Sequence, residues 1–342
     1  MPIQPVQKLT QTFVAIAVLG SAIACQPSPE TAENRSPETV TVRSAYVELE
    51  GLFVQEVFNI GLERLGYQTA DLKQLDPTLI HVAIGDGELD FFAGHWETLY
   101  EEFFQRSGGE EKLERVGVVV PDVLQGYQID KKTAEAYNIT NLEQLRDPEI
   151  AALFDSDGDG LANLTGCNPG WGCELAIEHH LDNYELRDTV EHDRGSYSAL
   201  LADTITRYRQ GESVLYYTWT PHWLGTVMKP GEDAIWLEVP FTSLPETQGD
   251  VTEEETSIGG KNLGFAVDKM RVVANQNFID NNPTAERFFE SVAIPIEDIN
   301  AQNQLIQQGE DTPEDIRRHA EEWVTENQEL FDSWIERSRD EN

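Results

Sequence analysis

Basic residues are scarce in this chain. Its 342 residues carry 24 Lys and Arg against 62 Asp and Glu, a formal charge of -38. Nucleic-acid binding draws on clustered cations that neutralise phosphates, and no such cluster is present, so nucleic acid is excluded as a partner. The acidic excess reads as a solvated surface of the kind that suits a saline environment. Long apolar runs are also lacking: beyond residue 25 nothing approaches the roughly 20 apolar residues that span a bilayer. Catalytic signatures are missing as well, with no GxSxG, P-loop, HExxH, or GxGxxG after a strand. Carboxylates are too abundant for a catalytic pair to stand out. The 7 His are scattered, and His179 and His180 read as a solvated pair on the polar side of a helix. The expectation is a protein that is not an enzyme and requires no cofactor.

Cysteine is rare, at 3 residues, and the odd number needs an explanation. Residues 1–24 read as a signal peptide: Lys8 precedes a short apolar segment from Phe13 to Leu19, then small residues. The segment ends at Ala22-Ile23-Ala24-Cys25, which resembles a bacterial lipobox and makes Cys25 the expected site of lipidation. Residues 25–38, rich in Pro, Ser, Thr and Glu, form a flexible tether. Cys167 and Cys173 are then left to form a disulfide across the loop CNPGWGC, in a compartment that permits it. The spacing and the lack of a second Cys pair exclude a zinc site there.

From residue 39 short β-branched runs alternate with amphipathic stretches, an α/β pattern that implies parallel sheets. Strands are expected at 39–44, 89–94, 115–120, 126–129, 213–218 and 234–239. Helices are expected at 47–66, closed by Gly66, at 96–104 and 174–181, and in the C-terminal third at 284–292, 296–307 and 314–334. Two irregular stretches, 121–126 and the acidic 240–260, read as crossovers that bracket a middle segment.

Trp96, Trp171, Trp219 and Trp223 fall where loops should follow strands, which is where open α/β sheets bind ligands. Aromatic rings gathered there would form a cage for a quaternary ammonium group, at about 0.5–2 kcal/mol per contact. Packing in the core is the competing reading of each Trp. The backbone N–H groups of Gly172 and Cys173 open a helix, and such an end binds carboxylates. Cage and anion site together describe a receptor for a small zwitterion. The acidic run Asp155, Asp157, Asp159 with Gly160 mimics the start of a calcium loop, though Gly166 stands where the bidentate Glu belongs. A structural calcium and a self-capping acidic turn are the two readings of it.

The stretches QGYQIDKKTAEAYNI (125–139), LFDSDGDGLANLTGCNPGWGCE (153–174), ADTITRYRQGESVLYYTWTPHW (202–223) and AIPIEDINAQN (293–303) carry a resemblance. From about residue 40 to the C-terminus the chain resembles the glycine betaine/proline betaine-binding proteins of ProU-type ABC importers, the ProX family. The resemblance implies a two-lobed periplasmic-binding-protein type II fold, each lobe a mainly parallel sheet flanked by helices. Lobe 1 would comprise 39–122 plus 243–342 and lobe 2 residues 123–242. It implies Trp96, Trp171 and Trp219 as the box around the ammonium, and Gly172, Cys173 and a side chain after the first Trp as the carboxylate site. The family's His at that last position is Tyr100 here, in GHWETLY, and His95 is the substitute to weigh against it. The implied partners are a betaine and an ABC importer permease, for a monomer held at a membrane by its lipid. A receptor for choline or another quaternary ammonium is the alternative within this class. A secreted calcium-stabilised enzyme or glycan-interaction protein is the alternative outside it.

Overall fold

The computed structural model describes residues 40–340. The signal peptide, Cys25 and the tether lie outside the described residues. Among those described, no helix is long and apolar enough to cross a membrane.

Helix α1 (Leu49–Leu65) buries Leu52, Phe53, Val57 and Leu62 around most of its circumference and ends at Gly66, whose φ of 100° is open to glycine at little cost. Helix α2 (Pro77–Gly85) starts with Pro in the first turn, where a missing N–H costs nothing. The main sheet then builds from β1 (Phe91–Trp96), β2 (Leu113–Asp130), β3 (Ala162–Thr165), β4 (Val190–Asp193), β5 (Leu215–Thr220), β6 (Ala234–Trp236) and β7 (Asp268–Asn275). Helix α3 (Gly172–Asn183) lies between β3 and β4, and α4 (Ile296–Gln307) and α5 (Pro313–Glu326) follow β7.

Strand order is β1-β7-β2-β5-β3-β4, with β6 beside β2. Strand β7 pairs antiparallel with β1 and with the first part of β2, so β1 and β2 share a direction. Ser44 forms a parallel bridge to Phe91 at the start of β1. In the other half β3 runs parallel to β4 and β5, while the second part of β2 runs antiparallel to β5 and β6. Each half is therefore mainly parallel in direction, with one reversed strand. The reversed strand is in each case the one that brings the chain across from the other half.

Two hydrophobic cores result. One takes residues from Val42 to Val123 and from Met270 to Ile335; the other runs from Tyr127 to Phe265. These are the two lobes of a two-lobed α/β fold. The return to the first core falls between Phe265 and Met270, later than the 242/243 boundary expected from the polar stretch, because Leu244 and Phe265 still pack on the second core.

Three local expectations are corrected. Residues 121–126 are not an irregular crossover; β2 runs through them as one strand. Pro121 and Asp122 fall where the register shifts between the pairs Val120–Met270 and Val123–Asp268, so the missing proline N–H costs no ladder bond. Trp96 ends β1, paired with Met270, and the following helix starts only at Glu101. The helix expected over 314–334 breaks at Asn327 into Pro313–Glu326 and Gln328–Arg339.

Candidate ligand-binding cavity between the two cores

Between the cores lies a cavity of about 100 Å³, walled mainly by apolar side chains. Trp96, Leu99, Tyr100 and Val54 reach it from the first core, and Trp171, Gly172, Cys173 and Tyr217 from the second. Trp219 lines it as well and packs against both cores. The indoles of Trp171 and Trp219 meet at 6.3 Å between centroids and 61° between planes, forming a corner. Tyr197 at 4.7 Å and His222 at 4.5 Å brace the Trp219 ring. Trp223 does not line the cavity; it packs on the second core.

Strand geometry decides which residues face this space. Side chains alternate along β1, so Phe92, Gly94 and Trp96 line the cavity while His95 points to the opposite face. There His95 is fully buried, with its Nδ1 2.9 Å from His81 Nε2 and its Nε2 3.2 Å from Arg115 Nε. Burial, and then the neighbouring His81 and Arg115, push its imidazole well below the ordinary value. His95 is thus corrected as a substitute ligand: it lies behind the strand.

Tyr100 is placed by a turn that Asp268 holds. The Asp268 carboxylate accepts from the Thr98 and Leu99 amides at 3.1 Å. Burial, with Asp268 and Glu48 nearby, pushes the Tyr100 hydroxyl up, so it stays protonated and able to donate. Among the described residues it finds no hydrogen-bond partner within the chain.

A disulfide joins Cys167 and Cys173, whose Cα atoms are 6.4 Å apart. The loop it closes ends at α3. Gly170 N–H donates to the Glu174 carboxylate at 2.7 Å, and Gln248 Nε2 donates to Gly172 O at 2.9 Å. As the first residues of α3, Gly172 and Cys173 have amides without a helical acceptor, and they open on the cavity.

The two lobes touch across this cavity. Trp171 Nε1 donates to Asp76 at 3.2 Å, Thr78 Oγ1 donates to Gly170 O at 3.3 Å, and His222 Nε2 lies 3.3 Å from Glu50. The arrangement is a closed one. Sequence reasoning missed Glu48, Glu50 and Gln125, all of which line the cavity. They are common polar residues with no spacing motif of their own, so only the folded chain brings them to the wall. Tyr217 donates to Gln125 Oε1 at 2.7 Å, which turns the Gln125 amide NH2 into a further donor at the wall.

One expectation elsewhere is corrected by packing. His180 is not solvated: it is fully buried, 2.7 Å from the Tyr127 hydroxyl and stacked on Tyr184 at 4.8 Å. The carboxylate oxygens of Asp155, Asp157 and Asp159 come within 4.8 Å of one another, away from the cavity. Asp155 accepts from the Gly158 and Gly160 amides at 2.7 and 2.9 Å, and Asp159 from Leu161 at 2.8 Å, so these side chains cap their own loop.

A family model, the substrate-binding domain of ABC-type glycine betaine transport systems, matches residues 40–326. The glycine betaine-binding periplasmic protein OusX of Dickeya dadantii (strain 3937) is 42% identical over 330 residues, covering 96% of this chain and 94% of the relative. The glycine betaine/proline betaine-binding periplasmic protein of Escherichia coli (strain K12) is 42% identical over 326 residues, 95% of this chain and 93% of the relative. In shape, the crystal structure of the glycine/betaine/L-proline-binding protein ProX from Borrelia burgdorferi superposes with a TM-score of 0.68 over 86% of this chain and 96% of that one, at 17% identity. With its two cores closed on one aromatic cavity, the chain belongs to the family of substrate-binding domains of ABC-type glycine betaine transport systems.

Proposed function

We propose that this protein captures glycine betaine or proline betaine outside the cytoplasm and hands it to the permease of an ABC importer, making and breaking no bond. The observation that carries the reading is the convergence of Trp96, Trp171 and Trp219 with the open end of α3 on one cavity. In this reading the indole faces hold the trimethylammonium group, whose methyls form no strong hydrogen bonds and therefore need no polar partner. The Gly172 and Cys173 amides and the Tyr100 hydroxyl take the carboxylate. Closure is favoured by the ligand because only the closed state completes the box. The lipid on Cys25, the tether and a monomeric state belong to the same proposal. A structural calcium at Asp155, Asp157 and Asp159 is a separate proposal, supported by the proximity of the three carboxylates; a melting temperature that EDTA lowers and calcium restores tests it.

Calorimetric titration with glycine betaine, proline betaine and choline tests the main reading. Saturable binding of a betaine is expected, with Ala at Trp96, Trp171 or Trp219 each costing on the order of 1–3 kcal/mol. Silence with all three ligands, or an indifferent Trp219→Ala, sinks it.

A further inference from the structure

Three acids stand where α1 and α2 begin beside the cavity: Glu48, Glu50 and Asp76. Two are committed. Asp76 accepts from Trp171 Nε1, and Glu50 faces His222. His222 Nδ1 accepts the Leu224 N–H at 3.0 Å, which leaves Nε2 as the nitrogen that faces Glu50. Glu48 differs. It lines the cavity, and among the described residues its carboxylate takes part in no hydrogen bond or ion pair. Among the described residues no Lys or Arg lines the cavity either, so none of their cations offsets Glu48 there.

We propose that Glu48 sets the charge selectivity of this cavity, adding net-cationic quaternary ammonium compounds such as choline to the zwitterions it accepts. The proposal rests on the ammonium-binding reading above. In a space this small, both ends of a zwitterion lie near Glu48, and attraction at the ammonium is offset by repulsion at the carboxylate. A cation without a carboxylate feels the attraction alone. The surroundings agree: burial, then Glu50 and Asp76, push the Glu48 carboxyl up to about 7. A bound cation lowers it again, so cation binding at neutral pH expels a proton. The other groups with a charge to change here are Tyr46 on the preceding strand, Tyr100 after β1, and His222 through Glu50. Both tyrosines are pushed up and stay neutral in the working range.

The test measures choline and glycine betaine affinities of the protein and of Glu48→Gln at pH 6 and pH 8, in buffers of different ionisation enthalpy. Glu48→Gln should weaken choline about tenfold and glycine betaine less than about threefold. In the unaltered protein the preference for choline should grow from pH 6 to pH 8, with proton release on choline binding near pH 7; in Glu48→Gln both effects should vanish. Glu48→Ala, checked for folding by its melting transition, should change the ratio in the same direction. A choline-to-betaine ratio unchanged by both variants, or no choline binding beside normal betaine binding, overturns the role of Glu48 and leaves the betaine reading standing. Failure of the unaltered protein to bind either ligand overturns both.

Discussion

At the mouth of α3, Gly172 lies close against Leu99 of the other lobe. A Cβ added there would stand 2.5 Å from the Leu99 carbonyl oxygen and 2.9 Å from its Cγ, and backbone of the opposite lobe has no cheap way to yield. The clash belongs to the closed state alone, since Leu99 and Gly172 sit in different lobes. Gly172→Ala should therefore weaken glycine betaine binding by about tenfold or more while each lobe keeps its own core. Titration calorimetry beside a thermal melt checks this: an unaltered affinity, or a loss of folding equal to the loss of binding, counts against it. This close approach is invisible in the string NPGWGC, where the same glycine reads only as a free N–H at a helix start.

At the scale of elements, the alternation of β1 sorts Trp96 from His95, and the disulfide loop aims Trp171 and the first amides of α3. Cys167 and Cys173 are six positions apart. So short a loop contributes only about 2 kcal/mol through the unfolded state. Its larger effect should be local, by holding the loop at Gly170 against Glu174 and α3's start against Gln248. A Cys167→Ser, Cys173→Ser double variant should stay folded, melt a few degrees lower and lose glycine betaine affinity more than it loses stability. Equal binding by the reduced and oxidised protein would refute that local role. Strand β2 teaches a related lesson. Pro121 reads as a strand end because it lacks an N–H, yet a bulge opposite Asp268 and Met270 removes the need for that donor.

Over the whole molecule, buried histidines make stability depend on pH. Burial pushes His81 down to about 4 and His180 down to about 3. Both imidazoles are neutral in the folded state, whereas the unfolded chain protonates them near their ordinary value of 6.5. The folded state thus keeps their full contribution above about pH 6.5 and loses it as pH falls towards their folded values, by up to about 1.4 kcal/mol per pH unit for each. Carboxyls pushed up in the folded state, such as Glu48 and Asp268, act with the opposite sign, Glu48 below about pH 7. A variant separates the two. The gap in melting temperature between His180→Gln and the unaltered protein should narrow from pH 7 to pH 5, and a constant gap would show that His180 does not carry the effect.

Much of this protein was legible in its residues. The α/β class, the helix ends at Gly66 and Pro313, and the aromatic positions after strands follow from local periodicity and backbone chemistry. The likeness to betaine-binding proteins follows from two short motifs, NPGWGCE and YYTWTPHW. Tertiary structure alone decided which side chains share the cavity. Trp223 looks equivalent to Trp219 in sequence, and His95 to its neighbour Trp96. They part company because one step along a strand reverses the face, and because Trp223 turns into the second core. The same holds for Glu48: it becomes an unpaired carboxylate only when folding commits Glu50 to His222 and Asp76 to Trp171. Periodicity reports on a residue's near neighbours, and polar pairing across a cleft is settled by partners 95 and 172 positions away.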